Sequence, residues 1–494
     1  MIDFDELSNR RAISLEGGRS GKDSIQHSNG KMTARERIEY LIDKDSFVEL
    51  GLLSKGNGGG VLTGYGTING SLVYIYSQDI TVNGGIMNKS NSEKILNIMN
   101  LALKMGAPLI HILDSVGGDI NEGMSILSSY GAILNLQSKM SGVIPQISLV
   151  CGPCTGAAAI SACLSDITIM TKVAELYINS SERIEKQSRT YTEGSKYATA
   201  EVGARSGSVQ LIADNDKDGL DKIKSTLSYI PRNNRQLMSF EASTMDEVIK
   251  NDIDTLYCEG KATYKEILTY IADDNSVFEI DNCMGTDLYT CFIKLRGLSL
   301  GVIATDSSRA QGLNIKDCEK AVKFIKLCNA FNISILSLVD CKGFIGSAEE
   351  EAKGLSLYAA KLVYALVEAN VPKVALIIGN SLGAGHMAFA SKDTTFDLTF
   401  ALPYATICPA DPSEMVRYLH GEEIILSDNP KLKEDELLKK FIEKEASALK
   451  AAEDGHIDDV IKPSEARITL LRSFDMLQSK RELRYPRKHG SVLI

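Results

Sequence analysis

The stretch Val143 to Asp166, VIPQISLVCGPCTGAAAISACLSD, decides how the chain is read, because Asn370 to Asp393, NVPKVALIIGNSLGAGHMAFASKD, repeats its anchors in order. Pro145 pairs with Pro372, Gly152 with Gly379, Gly156 with Gly383 and Asp166 with Asp393, all 227 residues apart. Gly70 and Gly297 keep the same spacing. After these two glycines, each copy runs strand, glycine-bearing loop and amphipathic helix, then enters an apolar strand ending in aspartate. These are Asp114 in PLIHILDSVGG and Asp340 in ISILSLVDCKG. Anchors that recur at one offset mark an internal duplication. Short apolar runs alternating with helical patterns place both copies in the α/β class. The helix KSNSEKILNIMNLALKM is expected to start on Ser90 or Ser92 and to bury Ile95, Met99 and Leu103.

Within the repeat, Cys151-Gly152-Pro153-Cys154 reads either as a redox pair or as the turn that opens a helix. A redox pair needs both sulfurs, and the matching positions in the second copy are Ile378 and Ser381. A lone CxxC also supplies only half the ligands of a structural zinc site, so neither chemistry is expected. What both copies keep is a glycine turn and a helix opened by small residues, Gly156-Ala157-Ala158 and Gly383-Ala384-Gly385. First-turn N–H groups lack intrahelical acceptors and carry the positive end of the helix dipole. Small side chains let a ligand oxygen reach that backbone, which predicts two pockets for negative oxygen. Close helix–strand packing is the competing explanation.

Composition bounds the rest. The 494 residues leave room for more than one domain. A net charge of -10, from 54 basic and 64 acidic residues, disfavours nucleic acid or an anionic membrane as partner. The N-terminal residues lack the order of a signal peptide, and no apolar run reaches about 18 residues. Ten scattered cysteines suit a reducing compartment. The expected location is the cytoplasm, without membrane insertion. The domains are read as 1–230 and 276–494 with a polar linker over 231–275, and the charged run after residue 430 as a solvated helix face.

Collinear stretches over about residues 30 to 494 resemble the carboxyltransferase subunit of biotin-dependent acyl-CoA carboxylases and decarboxylases, the family of propionyl-CoA carboxylase beta chains and methylmalonyl-CoA decarboxylase alpha chains. They include VLTGYGTING, VYIYSQDITVNGG, SGVIPQISLVCGPCTGAA, YIPRNN, KFIKLCNAFNISILSLVD, GHIDDVIKPSEAR and KRELRYPRKHG. The resemblance implies two tandem crotonase-like domains, the first holding a coenzyme A thioester and the second biotin. It implies a homo-oligomer, a hexamer, with its active site at a dimer interface. One oxyanion hole would fall on Gly156 and Ala157, polarising the thioester carbonyl toward an enolate. The other would fall on Ala384 and Gly385, facing the ureido oxygen of biotin. Further substrate contacts would come from Gly117, Gly118, Thr155, Gly383 and His386, and no metal is called for. The sequence shows neither an Ala-Met-Lys-Met biotin attachment motif nor an ATP-binding carboxylase region. The implied partners are therefore a biotin carboxyl carrier protein and a biotin carboxylase or membrane decarboxylase subunit.

Four departures from the family pattern bear on activity. Gly156-Ala157 replaces a glycine pair, Gly383-Ala384-Gly385-His386 a Gly-Gly-Ala-Tyr run, and Val116-Gly117-Gly118-Asp119 a Gly-Gly-Ala-Arg run. The segment CPADPSEMVRY, Cys408 to Tyr418, replaces Met-Gly-x-x-Gly-Ala. A methyl group at Ala157 leaves its N–H in place, whereas Asp411-Pro412 alters backbone near the expected biotin entry. Two other functions stay open: a biotin-independent crotonase-like acyl-CoA hydrolase or decarboxylase, and a non-catalytic assembly subunit. Asp114 and Asp340 read as braces accepting backbone N–H bonds, Arg35 and Arg37 as surface ion-pair partners in preference to CoA phosphate ligands, and His386 as structural in preference to functional. The run GNGGG at 56–60 reads as a flexible loop, since it lacks the Lys-Ser/Thr ending of a phosphate loop.

Overall fold

A two-residue hairpin starts the sheet in each half of the chain. The computed structural model describes residues 4–16, 22–54, 59–191, 193–238, 240, 252–285, 287–308, 312–482 and 485–491; positions 56–58 of the glycine loop lie outside them. Two units divide at Leu237 and Met238. In the first, β1 (Val48–Glu49), β2 (Val61–Ile68) and β3 (Ser71–Gln78) are antiparallel, with β2 and β3 joined through Asn69-Gly70 at φ 50° and 74°. Left-handed residue pairs of this kind match the twist of the flanking strands. Asp43 fixes the turn by accepting both N–H groups, at 3.0 and 2.8 Å.

The strands that follow are β4 (Leu109–Leu113), β5 (Gln146–Val150), β6 (Pro153–Thr155), β7 (Ile167–Thr171), β8 (Glu175–Tyr177) and β9 (Leu211–Ala213). The sheet order is β1-β2-β3-β4-β5-β7-β9, parallel from β3 onward, while β6 and β8 pair separately. Every residue of β4 and β5 is buried, as parallel strands covered on both faces require. Around them lie α1 (Ala34–Leu41), α2 (Lys89–Met105), α3 (Ser125–Met140), α4 (Ala157–Cys163) and α5 (Asp216–Tyr229). The N-cap of α2 is Asn88, not Ser90 or Ser92; its side chain accepts the N–H of Asn91. Ile95, Ile98 and Met99 of α2 join Tyr76, Leu109 and Met140 in one core, each such side chain contributing roughly 1.5–3 kcal/mol when fully buried.

The second unit repeats this plan. Its helices and strands begin with α6 (Ile253–Cys258), α7 (Tyr264–Ile271), β10 (Phe278–Ile280), β11 (Leu288–Leu295) and β12 (Leu298–Thr305). The β11–β12 turn is Arg296-Gly297, at φ 51° and 78°, and Asp273 accepts both of its N–H groups at 2.9 and 2.8 Å. Next come α8 (Ile315–Ala330), β13 (Ser334–Cys341), α9 (Leu355–Glu368), β14 (Lys373–Leu382), α10 (Gly383–Phe389), β15 (Leu398–Ala401) and β16 (Thr406–Cys408). After them stand α11 (Pro412–Ile425), α12 (Pro430–Glu445) and β17 (Asp459–Val460). The sheet runs β10-β11-β12-β13-β14-β15-β17, with β16 on the end of β14.

Buried polar groups confirm the duplication. Lys94 donates to the carbonyl of Val61 at 2.6 Å, and Lys320 to that of Leu288 at 2.9 Å. Burial draws both ammonium groups below their ordinary range, Lys94 to about 8. The equivalence slips near the end. The N–H of Gln146 donates to Asp166, but that of Lys373 donates to Asp397. Asp397, not Asp393, is therefore the structural counterpart of Asp166, and extra residues are accommodated between α10 and β15. Within the stretch read as a linker, α6 and α7 bury Ile253, Tyr257, Ile267, Leu268 and Ile271 in the core of the second unit. The charged helix α12 buries none of its residues. Among the described residues, no helix is long and apolar enough to cross a membrane.

One core residue escapes the sequence patterns. His111 in β4 is fully buried, stacks on Tyr76 with centroids 4.9 Å apart, and has no hydrogen-bond partner on either ring nitrogen among the described residues. Burial pushes its pKa down to about 3, so the folded chain holds the imidazole neutral. Once unfolded, the ring titrates near its usual value of about 6.5. Below that pH the unfolded chain binds the extra proton, so stability falls as pH drops from about 6.5 toward 3, by up to roughly 1.4 kcal/mol per unit. His111→Phe should flatten this slope in urea unfolding between about pH 7 and pH 5; identical slopes for the two proteins would contradict it.

Candidate functional site

The glycine turns lie beneath carboxylates. A Cβ added to Gly152 would overlap Asp114 Oδ1, and one added to Gly379 would stand 2.5 Å from Asp340 Oδ1. In each unit the aspartate of one strand end thus occupies the space where the next strand would otherwise carry a side chain. The two carboxylates are held differently. Asp114, fully buried, accepts Lys31 Nζ at 2.8 Å, Arg37 Nη2 at 2.9 Å and Gln26 Nε2 at 3.2 Å. Arg37 also donates through Nε to Asp216 at 2.7 Å. Asp340 accepts the N–H of Asn380 at 2.7 Å, that of Ser307 at 3.2 Å and the Ser307 hydroxyl at 2.9 Å.

The expected brace through backbone N–H groups therefore holds at Asp340, while Asp114 is held by side chains. Arg37, expected at the surface, is wholly buried; Arg35 pairs with Glu49 at 2.8 Å. Sequence reasoning missed Lys31 and Gln26 on the first carboxylate and Ser307 on the second. The one legible signal was Asn380, which directly follows the matched Gly379.

At the first turn, Gly156 adopts φ 60° and ψ -125° and caps α4 without a side-chain bond. Nothing would crowd a Cβ there, so glycine is required by the backbone angle. Its own N–H donates to the carbonyl of Tyr177 at 3.0 Å and is committed inside the protein. The N–H of Ala157, first residue of α4, has no acceptor among the described residues. The loop after β4 approaches closely: a Cβ on Gly117 would stand 3.4 Å from Thr155 Oγ1. Gly117 donates its N–H to the Ser115 hydroxyl and accepts from Met87, whereas the N–H of Gly118 has no acceptor among the described residues. Gly118 also packs against Ile126, 2.7 Å from where its Cβ would be. The structure thus brings Gly117, Thr155, Gly156 and Ala157 together.

At the second turn, Gly383 takes φ 53° with its Cβ direction 3.2 Å from the carbonyl of Pro409. The altered segment therefore lies directly against this turn, and Asp411 caps α11 by accepting from the N–H of Ser413 at 2.8 Å. Ala384 is exposed, and its N–H has no acceptor among the described residues. Gly385 is buried, its missing side chain admitting Cys341 Sγ at 2.6 Å. His386 Nδ1 meets the Ser381 hydroxyl at 2.9 Å, and burial, with His456 nearby, lowers its pKa. The ring is thus neutral and tied to its own unit.

The redox reading of the first turn fails on geometry. Cys151 and Cys154 are both fully buried and unbridged, and burial pushes both thiols well above their ordinary range. No cluster of three metal-ligating side chains occurs among the described residues.

Comparisons with known proteins identify the family. The carboxyl transferase domain family model matches residues 25–492. The chain is 33% identical to the carboxyltransferase subunit of propionyl-CoA carboxylase of Haloferax mediterranei, over 99% of this chain and 98% of that one. It is 34% identical to the alpha subunit of methylmalonyl-CoA decarboxylase of Veillonella parvula, over 96% of both. A crystal structure of transcarboxylase 12S, a hexamer with methylmalonyl-coenzyme A and methylmalonic acid bound, superposes with a TM-score of 0.92 at 32% identity, covering 99% of this chain and 97% of the other. The chain belongs to the carboxyl transferase family and is an enzyme of its biotin-dependent branch.

If the carboxylates fix the turns, Gly152→Ala and Gly379→Ala should each destabilise by about 1–3 kcal/mol or more through overpacking. Gly131→Ala in α3, where a Cβ meets nothing within 4 Å, should be neutral or stabilise by up to about 1 kcal/mol through helix propensity. Urea midpoints that do not separate the first two variants from the third would contradict the packing argument.

Proposed function

We propose that this enzyme moves a carboxyl group between biotin, carried on a separate protein, and the α-carbon of a short acyl-CoA of the propionyl- and methylmalonyl-CoA type. The observation that carries the reading is the repeated glycine turn with an open helix start, at Ala157 and again at Ala384, in a chain whose full-length relatives are named for these thioesters. Each unit is read as a crotonase-like domain, the first as the acyl-CoA side and the second, with α6 and α7 in its core, as the biotin side.

In the first unit, the unclaimed N–H of Ala157, with that of Gly118, receives the thioester oxygen. As the α C–H bond breaks, its electron pair moves onto that oxygen as an enolate, and the carbon then forms the new bond to the carboxyl carbon. One donor aimed at such developing charge is worth about 2.7–4 kcal/mol. Gly156 takes the backbone angle that presents Ala157, since its own amide is already bonded to Tyr177. Gly117 and Thr155 line the same corner.

Biotin would supply or receive the carboxyl group: in the direction of carboxylation the bond between its ureido nitrogen and the carboxyl carbon breaks, and the nitrogen, keeping that electron pair, takes the α-proton; decarboxylation retraces the same steps. The exposed start of α10 suits its ureido oxygen, with Ala384 as donor, Gly385 letting the helix seat closely, and Gly383 and His386 flanking. The partners on this reading are a biotin carboxyl carrier protein and a biotin carboxylase or membrane decarboxylase subunit. Large apolar side chains stand exposed in the same regions of sequence, Ile120 at 88% and Met124 at 81% after Gly118, and Tyr418 at 87% on α11. Exposure of this kind supports burial by another copy of the chain in a hexamer like that of transcarboxylase 12S.

The test is loss of carboxylate from methylmalonyl-CoA in the presence and absence of free biotin, with Ala157→Pro beside the unsubstituted chain. Proline is tolerated at the first helical position and replaces the N–H with a ring methylene, so kcat should fall by at least about 10²–10³-fold with the unfolding midpoint unchanged. Turnover indifferent to biotin would favour a hydrolase or decarboxylase using the first turn alone. An absence of turnover would favour an assembly subunit. Unimpaired turnover by Ala157→Pro would remove the backbone donor from the account.

A further inference from the structure

Away from the glycine turns, a cavity of about 280 Å³ opens between α8 and α9. Cys318, Val322 and the ring of Tyr358 line it, and Lys323, Lys326 and Lys361 stand around it with a single carboxylate, Glu319. On a chain of net charge -10 this is a local reversal of sign. Lys326 and Lys361 make no ion pair among the described residues, and Lys361 Nζ stands 4.9 Å from the centre of the Tyr358 ring.

The duplication supplies an internal control. The positions that match Lys323 and Lys326 in α2 are Asn97 and Asn100, and those that match Tyr358 and Lys361 in α3, aligned through the carbonyls of Gln137 and Leu366 that accept from Gln146 and Lys373, are Ser129 and Ala132. The equivalent helix pair thus packs in the first unit with no cation and no ring at these four positions; the buried Tyr130 of α3 stands one residue on from Ser129. Helix packing does not account for them.

The volume falls just short of the roughly 300 Å³ at which small-molecule sites begin. That is more room than a lone inorganic anion needs. We propose that this cavity binds a phosphate-bearing ligand of nucleotide size, its flat base against Tyr358 and Val322 and its phosphates on Lys323, Lys326 and Lys361. Ammonium groups act on phosphate as point charges, and aromatic faces stack bases without demanding a particular one. A free adenine nucleotide and the nucleotide end of a coenzyme A thioester share this chemistry. The site does not rest on the carboxyl-transfer reading.

Calorimetric titration of the full chain with ADP, with coenzyme A and with inorganic phosphate tests it, beside Lys326→Gln/Lys361→Gln and Val322→Trp. ADP should bind once per chain, and each variant should weaken it by at least about tenfold while keeping the unfolding midpoint. A class of coenzyme A sites lost in both variants identifies the thioester as the source; a response to ADP alone identifies the free nucleotide. No ADP binding by the unsubstituted chain, unchanged affinity in the variants, or inorganic phosphate bound as tightly as ADP would overturn the proposal.

Discussion

A carboxylate resting on a bare α-carbon fixes the working end of each half of this chain. Asp114 over Gly152 and Asp340 over Gly379 hold adjacent parallel strands at a separation no side chain would allow, and the helix starts follow within a few residues. Because both aspartates are substantially shielded from water, their partners must be supplied by the protein. In the first unit the partners are cations, Lys31 and Arg37, brought in from the N-terminal segment; in the second they are Ser307 and Asn380. The same constraint is met by two chemistries, as expected when duplicated halves diverge around one packing rule.

What this arrangement delivers is backbone, not side chain. A helix start that follows a left-handed glycine carries N–H groups with no partner of their own, and a small first residue leaves them open. Ala157 and Ala384 meet that description. The thiols and the imidazole in the same regions are held out of the chemistry by burial or by local bonds: Cys151 and Cys154 are inaccessible, and His386 is tied to Ser381. Donors fixed in the main chain need no rearrangement as charge develops on an oxygen, which is the condition under which they contribute most.

Much of this was legible in the sequence because glycine records backbone demand directly. The repeat of Gly152, Gly156, Gly379 and Gly383 exposed both the duplication and the turns. Side-chain partnership across long separations was not legible. Arg37 sits in a charged run that reads as surface, yet it is buried between Asp114 and Asp216, and no local pattern announces a contact spanning that much chain. The commitment of Gly156 to Tyr177 was hidden for the same reason: it depends on the short pairing of β6 with β8. Asp393 matched Asp166 by ungapped counting, and only the strand-end hydrogen bond reveals Asp397 as the true equivalent.

The central claim is that main-chain amides at the first turn draw charge onto a thioester oxygen. Infrared difference spectroscopy of a carbonyl-labelled, non-reactive acyl-CoA bound to the chain reads that polarisation directly. The account predicts a carbonyl band displaced to lower frequency than in solution; a bound thioester whose band keeps its solution position would contradict it.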